Sequence, residues 1–495
     1  MTKGHLDHQA VKGKEKERAE KLGITIKKEE DSAEWYTQVC QKADLAEYAP
    51  VKGCYIIKPY GYRIWERIQE YFNKELKRMG ISNSYFPLFI PESFFKREAQ
   101  HAEGFTPEVA WIANREEDSE RLAVRPTSET IMCDSFSRWI RSWRDLPLRL
   151  NQWCNVVRWE TKATKLFLRS REFLWQEGHC VYETESDCDR ETLVMLEKYK
   201  KLAEELLAIP VVYGKKTDRE KFAGAKYTMS IEAFMPDGKA LQLGTSHNLC
   251  QGFMKAFNVS FLGKDGEAHV PWHSSWGFST RLIGSVVLLH SDNKGLVLPP
   301  KIAPNKVVIV PILFDETRSK VLSACDEVRQ KLEELDPILD EREEYTPGWK
   351  FNNWELRGVP LRIEIGPKDL ETNECVLVRR DTGEKQYIKI VDINEAVLEE
   401  LEDMQHNLFT KAKKALDDTI THVQSWAQFV DAVKERKLIL AAHCGDGACE
   451  AAIQEKTGGV TTRCIPFDEK KIKQASACVH CGKPSKYNVY FSKSY

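Results

Sequence analysis

Long hydrophobic runs are missing from this 495-residue chain: no stretch approaches the roughly 18 apolar residues that span a bilayer, and runs such as Val307–Phe314 are broken by proline. A secretory signal is missing too, since Met1–Glu30 is charged throughout and has no apolar centre, so the chain is expected in the cytosol. Charge of one sign is scarce. With 73 Lys/Arg against 75 Asp/Glu the formal net charge is −2, which excludes bulk attraction to nucleic acid and leaves RNA contact to local patches. One such patch is Lys434–Tyr495, with 11 basic and 6 acidic residues, although the same count describes a solvated surface. Closely spaced cysteines are absent until the tail. In a chain without an export signal, scattered thiols are small buried hydrophobes kept reduced, so no structural disulfide is expected. Internal repeats and low-complexity segments are lacking as well.

What remains, 42% hydrophobic and 30% charged residues, is ordinary globular composition with room for about three domains. Residues 1–32 are Lys/Glu-rich and read as a frayed or disordered lead-in. Tyr62–Met79 carries Trp65, Ile68, Phe72, Leu76 and Met79 at three- and four-residue steps, an amphipathic helix stopped by Gly80. Ile81–Pro91 reads as an aromatic-rich strand whose prolines limit pairing. Pro299, Pro300 and Pro304 mark a boundary. Beyond them strand 306–313, helix 317–335 and strands 361–365, 375–380 and 386–391 predict a compact α/β module, which a helical stretch over 393–433 joins to the tail.

Four segments carry chemistry. Asn151–Glu160 predicts a strand with Arg158 and Glu160 on one face, and Phe167–Phe173 can return antiparallel with Arg169, Arg171 and Glu172. Three arginines and two acids on one hairpin suit a nucleotide clamp, or a surface salt-bridge ladder. In Ser275–Arg281, Ser279 or Thr280 caps an apolar helix with Arg281 in its first turn. That is the wrong charge for a helix N-terminus unless an anionic ligand or a buried salt bridge lies nearby. Arg125–Glu129 is a polar loop before an apolar helix, with a plain N-cap as its simplest reading. In Leu241–His247, strict strand parity sets Gln242 opposite Thr245 and His247, so the three converge only if Gly244 makes a bulge. In the tail, Cys444-x4-Cys449 and Cys478-x2-Cys481 have the logic of a structural four-thiolate zinc site, and Cys464 reads as core.

Taken together and in order, these segments resemble the three signature motifs of class II aminoacyl-tRNA synthetases. Gly80–Pro87 resembles the first, Val157–Glu160 through His179 the second, and Gly277–Leu289 the third. Arg125–Thr130, Arg171–His179, Gly244–His247 and Ser274–Arg281 are similar, more narrowly, to prolyl-tRNA synthetases of the eukaryotic and archaeal type. Threonine, serine and glycine synthetases share the three motifs, but Thr127-Ser-Glu129 and Gly244–His247 favour proline. A non-catalytic relative is disfavoured by the presence of Arg158, Glu160, Arg169 and Arg281.

The resemblance implies an α+β chain: a flexible extension (1–32), an antiparallel-sheet catalytic domain (33–300), an α/β anticodon-binding domain (301–408) and a small zinc-binding domain (409–495). It implies activation of proline with ATP and Mg²⁺ through a prolyl-adenylate, transfer to proline tRNA, and a homodimer built on the first motif. By the same analogy Arg158 meets the proline carboxylate and the α-phosphate, and Arg281 brackets the nucleotide. Glu160, Arg169, Ser170, Gln242, Thr245 and Ser279 are expected at ATP or its Mg²⁺. Thr127, Glu129, Trp175 and His247 are expected around proline. Residues 180–275 look too short for the editing domain of bacterial-type relatives.

Overall fold

The computed structural model describes residues 23–99, 108–113, 119–159, 163–467 and 476–495. Glu160 and residues 1–22 of the expected extension lie outside that set. The described part of the lead-in is anchored, since Lys28 Nζ donates to Leu288 O at 2.7 Å and Asp31 caps a helix over Ser32–Lys42. The chain divides into two units. One takes residues up to Glu47, Ile56–Ile68 and Val286–Ala412; the other takes Tyr48–Tyr55, Gln69–Ser285 and Lys413–Tyr495.

Helix α1 (Pro59–Arg78) matches the amphipathic pattern: proline suits its first turn, Trp65, Ile68, Phe72 and Leu76 are buried, and Gly80 ends the run at φ +71. The second unit is built on β1 (Leu148–Val157), β2 (Glu172–Tyr182), β3 (Val212–Lys215), β4 (Tyr227–Phe234), β5 (Lys239–Cys250) and β6 (Trp272–Ser279). Their order is β1-β2-β6-β5-β4-β3, every pairing antiparallel. On this sheet α2 (Glu129–Trp139) buries Met132, Cys133 and Phe136, and α3 (Glu185–Lys201) sets Tyr199 against Phe278, ring centres 5.3 Å apart. Helix α4 (Arg281–His290) follows β6 after Thr280.

Three expectations need correction. Only Ser82–Asn83 and Phe89–Pro91 of the strand expected over 81–91 pair, because Pro87 offers no N–H to a ladder. The return strand begins at Glu172, not Phe167: residues 165–169 make a turn with Phe167 at φ +61, so Arg169 and Ser170 stand before the strand. The helix expected over 393–433 ends at Thr419, followed by a strand at Ile420–Val423 and a second helix at Trp426–Lys434.

The α/β module appears as expected, as β7 (Val307–Pro311), β8 (Ile338–Leu339), β9 (Leu361–Ile365), β10 (Glu374–Arg379) and β11 (Lys385–Lys389), ordered β8-β7-β9-β10-β11. Helix α5 (Arg318–Lys331) packs Val321, Cys325 and Val328 against Val307, Ile309 and Ile363, and α6 (Pro347–Leu356) lies between β8 and β9 in the chain.

The tail runs α7 (Ile393–Thr419), β12 (Ile420–Val423), α8 (Trp426–Lys434), β13 (Leu438–His443), α9 (Gly447–Lys456), β14 (Thr461–Thr462), β15 (Ile465–Pro466) and β16 (Tyr487–Ser494). Its strands continue the central sheet: β15 pairs with β3, and β16 runs parallel to β5 at Lys239 and Ala240. Cys464 is fully buried among Val212, Leu438 and Tyr490, the core role its isolation predicts.

Candidate active site and metal cluster

A cavity of about 480 Å³ opens on the face of β2, β5 and β6. Strand alternation sends every second side chain of β2 into it, Phe173, Trp175, Glu177 and His179. Across the floor Gly178 leaves room for Trp276, whose ring would lie 2.0 Å from any added Cβ. On β5 the register against β4 slips between Gln242 and Gly244. That bulge puts Gln242, Thr245 and His247 on one wall, the condition the sequence reading set for their convergence.

Thr127 and Glu129, at the start of α2, also line the cavity, and the Thr127 hydroxyl donates to Glu129 Oε2. Ser128 occupies the N-cap without a side-chain cap bond; its hydroxyl donates instead to Glu177 Oε1. The plain N-cap reading of this loop therefore fails.

Arg158 lies one residue beyond β1. Its Nε donates to Pro126 O at 3.2 Å, and its guanidinium sits 5.6 Å from the Phe173 ring centre and 5.5 Å from that of Trp175. Arg281 lines the same cavity, as does Ser279, whose hydroxyl accepts from Arg281 N–H. The Arg281 guanidinium donates to two carbonyls, Leu168 O and Gln242 O, each at 3.2 Å. Among the described residues it forms no ion pair, so the salt-bridge alternative is not realised. Burial first, and then the positive field of Arg158, push its pKa down to about 10. It keeps its charge at neutral pH while facing an open cavity, which leaves an anion as the natural partner.

Arg169 and Ser170 do not line the cavity. Arg169 is exposed in the turn before β2, and the Ser170 hydroxyl donates to Glu172 O at 2.7 Å. Among the described residues no salt-bridge ladder forms on this hairpin either, for Arg171 lies over the Trp159 ring at 4.3 Å and Glu172 accepts from Asn155 Nδ2.

A buried polar network forms part of the cavity lining. Glu177 accepts from Ser128, from Gln152 Nε2 at 3.0 Å and from His179 Nε2 at 3.3 Å, and His179 Nδ1 lies 3.2 Å from His273 Nε2. Burial opposes both charges. It is the largest single influence on each, but the bond and field of His179 with the bonds from Ser128 and Gln152 together outweigh it and hold Glu177 below the usual carboxylate range, while the bond to Glu177 and the fields of Glu129 and Glu177 raise His179. His247, buried and repelled by His179, falls to about 3 and is neutral; its Nδ1 lies 2.8 Å from Thr228 Oγ1 and its ring 4.9 Å from that of Phe222.

Phe173, Glu177, His179, Glu220, Phe222 and Ser275 also line the cavity, and the sequence reading did not single them out. For the first three a signal existed, since they share the strand parity of Trp175. Glu220 and Phe222 lie on a loop, which has no periodicity to read. Chemically the cavity offers a carboxylate with a hydroxyl, and two guanidiniums. That set suits a ligand carrying both an ammonium and anionic groups.

The tail thiols gather at one point. Cys449 Sγ is 3.8 Å from Cys478 Sγ, and Cys481 Sγ is 3.6 Å from Cys444 Sγ. A tetrahedron with metal–sulfur bonds of about 2.3 Å has an edge near 3.8 Å, so the donors fit a soft divalent metal. The ligand atoms of His443, Cys444, Cys449 and Cys478 also lie within 4.8 Å of one another. Buried His443 is thus a further donor beside the expected Cys481, which is exposed; His443 Nδ1 already accepts from Gly445 N–H.

Residues 109–290 match the tRNA synthetase class II core domain (G, H, P, S and T), residues 306–400 an anticodon binding domain, and residues 426–495 a prolyl-tRNA synthetase C-terminal domain. The proline-tRNA ligase of Alkaliphilus oremlandii is 51% identical over 94% of this chain and 97% of its own. Proline-tRNA ligase 2 of Clostridioides difficile is 48% identical over 95% and 97%. The crystal structure of Cryptosporidium parvum prolyl-tRNA synthetase with L-proline and AMP superposes with a TM-score of 0.90 at 41% identity, covering 96% of this chain and all of that one.

Proposed function

The chain belongs to the proline-tRNA ligases, the prolyl members of the class II aminoacyl-tRNA synthetases, and on that premise we propose that it charges tRNA with proline in two steps. First the proline carboxylate attacks the α-phosphorus of ATP, forming prolyl-adenylate and releasing diphosphate. A ribose hydroxyl of the tRNA then attacks the acyl carbon and AMP leaves. The observation that carries this reading is the single cavity shared by Glu129, Arg158 and Arg281.

Neither step needs a protein nucleophile, so positioning and fixed charge supply the catalysis. Glu129, with Thr127, accepts from the proline nitrogen, a cation with two N–H donors that an ionised carboxylate complements. Trp175 and neutral His247 enclose the ring. Arg158 holds the carboxylate beside the α-phosphate and steadies the charge developing there, and Arg281 brackets the nucleotide from the opposite wall. Gln242, Thr245 and Ser279 face the nucleotide; Gln242 and Thr245 would hold Mg²⁺, which neutralises phosphate charge when bound. Arg169 and Ser170, outside the cavity, reach ATP only if the turn over 165–170 moves toward it, and Glu160 joins them at the adenine.

We assign residues 33–300 to catalysis, 301–408 to tRNA anticodon binding and 409–495 to a structural zinc domain held by Cys444, Cys449 and Cys478 with Cys481 or His443. A cytoplasmic homodimer is part of this reading. Its support is the first-motif segment, where Tyr85 is 72% exposed and Phe89 49%.

Proline-dependent ATP–pyrophosphate exchange, with threonine, serine, glycine and alanine in parallel, tests the proposal; exchange driven best by another amino acid would refute it. Residues 180–275 are occupied by strands and helices of the core, leaving no editing domain there. Missing methylenes provide only about 1–3 kcal/mol of discrimination. Alanine is therefore expected to be activated detectably, and rapid hydrolysis of alanyl-tRNA by the purified protein would contradict the lack of editing.

A further inference from the structure

The cavity wall at Glu220 and Phe222 belongs to the loop joining β3 to β4, residues 216–226. The sheet holds this loop through Thr228, which accepts Lys216 N–H on its carbonyl at 2.8 Å and Phe222 N–H on its hydroxyl at 2.9 Å. The tail holds the middle. Thr217 is 2% exposed, and its hydroxyl donates to Glu450 Oε2 at 3.0 Å. Thr462 donates to the same oxygen at 3.1 Å. Arg219 Nη2 donates to Gln454 Oε1 at 2.7 Å. Lys216 Nζ reaches Glu232 Oε1 at 2.6 Å, while Arg463 of the tail donates to the other oxygen of that carboxylate at 2.8 and 3.2 Å.

These contacts converge on cavity geometry. The Thr217 carbonyl accepts from Glu220 N–H at 3.1 Å and Lys221 N–H at 3.0 Å, so where Thr217 sits fixes where Glu220 sits. Five residues past Thr217, Phe222 lies against His247. Glu450 and Gln454 project from α9, the helix that also carries Cys449 of the metal cluster.

We propose that the C-terminal segment positions the amino-acid end of the cavity: Glu450 and Thr462 hold Thr217, and Thr217 holds the loop that closes Glu220 and Phe222 around a small amino acid. Glu450, Thr462 and Thr217 are thus positioning residues that set fit and selectivity without touching the substrate. The inference rests on the amino-acid-activation reading above. A loop on a sheet rim is ordinarily among the less stable parts of a fold. Here a second domain ties it down through buried hydrogen bonds.

The test is Thr217→Val, nearly isosteric and lacking only the hydroxyl. In pyrophosphate exchange the KM for proline is expected to rise about fivefold, the effect of one lost hydrogen bond, with the KM for ATP within about twofold. Preference for proline over alanine should fall, Thr217→Ser should restore both, and Glu450→Gln should shift them in the same direction as Thr217→Val. Amide hydrogen exchange, which needs no catalysis, should be faster at residues 218–222 in both disabling variants. Unaltered exchange protection there overturns the inference, as does an equal rise in both KM values with a lowered melting temperature. An unmodified chain lacking proline-dependent activity would refute the functional reading, and hydrogen exchange would still decide this one.

Discussion

Arg158 and the Glu177–His179 pair show how single side chains divide the labour. Arg158 stands at a strand end with its guanidinium toward the cavity, so its removal should cost chemistry and not folding. Arg158→Ala is expected to lower pyrophosphate exchange by about 10²–10³, the usual loss for one transition-state contact, with an unchanged melting curve. Near-normal exchange would remove it from the mechanism. Glu177 and His179 act on stability, and their signs can be worked out. His179 is raised in the fold, so its contribution is full below its ordinary 6.5 and is lost as pH climbs through the raised value. Glu177 is lowered, so its contribution is full above its ordinary 4.5 and fades as pH drops through the lowered value. Glu177→Gln should therefore depress the melting temperature most between about pH 4.5 and 6.5, and less on either side; a pH-independent depression would show that charge plays no part.

Two elements shape the site, the bulge in β5 and the close crossing of β2 and β6. The bulge turns Gln242 toward the wall of Thr245 and His247, which an unbroken two-residue repeat could not do. At the crossing, Gly178 faces Trp276 with no space for a methyl group. Gly178→Ala is expected to destabilise the protein by about 1–3 kcal/mol or more, because the indole lies in a packed core and must shift. Denaturant unfolding reads this directly, and a stability within about 0.5 kcal/mol of the parent would mean that the floor is looser than its geometry.

At the scale of the whole molecule, the tail is structurally part of the catalytic sheet. Strand β15 extends it beside β3, and β16 beside β5, while the thiol cluster closes the far part of the same tail. Native mass spectrometry should find a dimer carrying about one zinc per chain. Removal of the metal should unfold the tail first, because binding energy at such a cluster is folding energy. A monomer without metal, equally stable to chelator, would refute both assignments.

The sequence by itself determined those features whose signal is local. Helix α1 follows from a 3.6-residue apolar repeat and a terminal glycine, the α/β module from alternating runs, the thiol cluster from two close pairs, and the convergence of Gln242 with His247 was conditional on one glycine. Motif order made the class of enzyme legible as well. Tertiary structure alone decided the rest. The return strand started five residues late because Phe167 adopts a left-handed turn, and His443 joins the thiol cluster from a strand end that no cysteine spacing marks. The wall of Glu220 and Phe222, its anchorage to Glu450, and the Glu177–His179–His273 network all join residues far apart in the chain. Such contacts leave no periodicity behind them: a helix face or a strand face repeats along the chain, whereas a loop held by another domain depends on distances that exist only once the chain has folded.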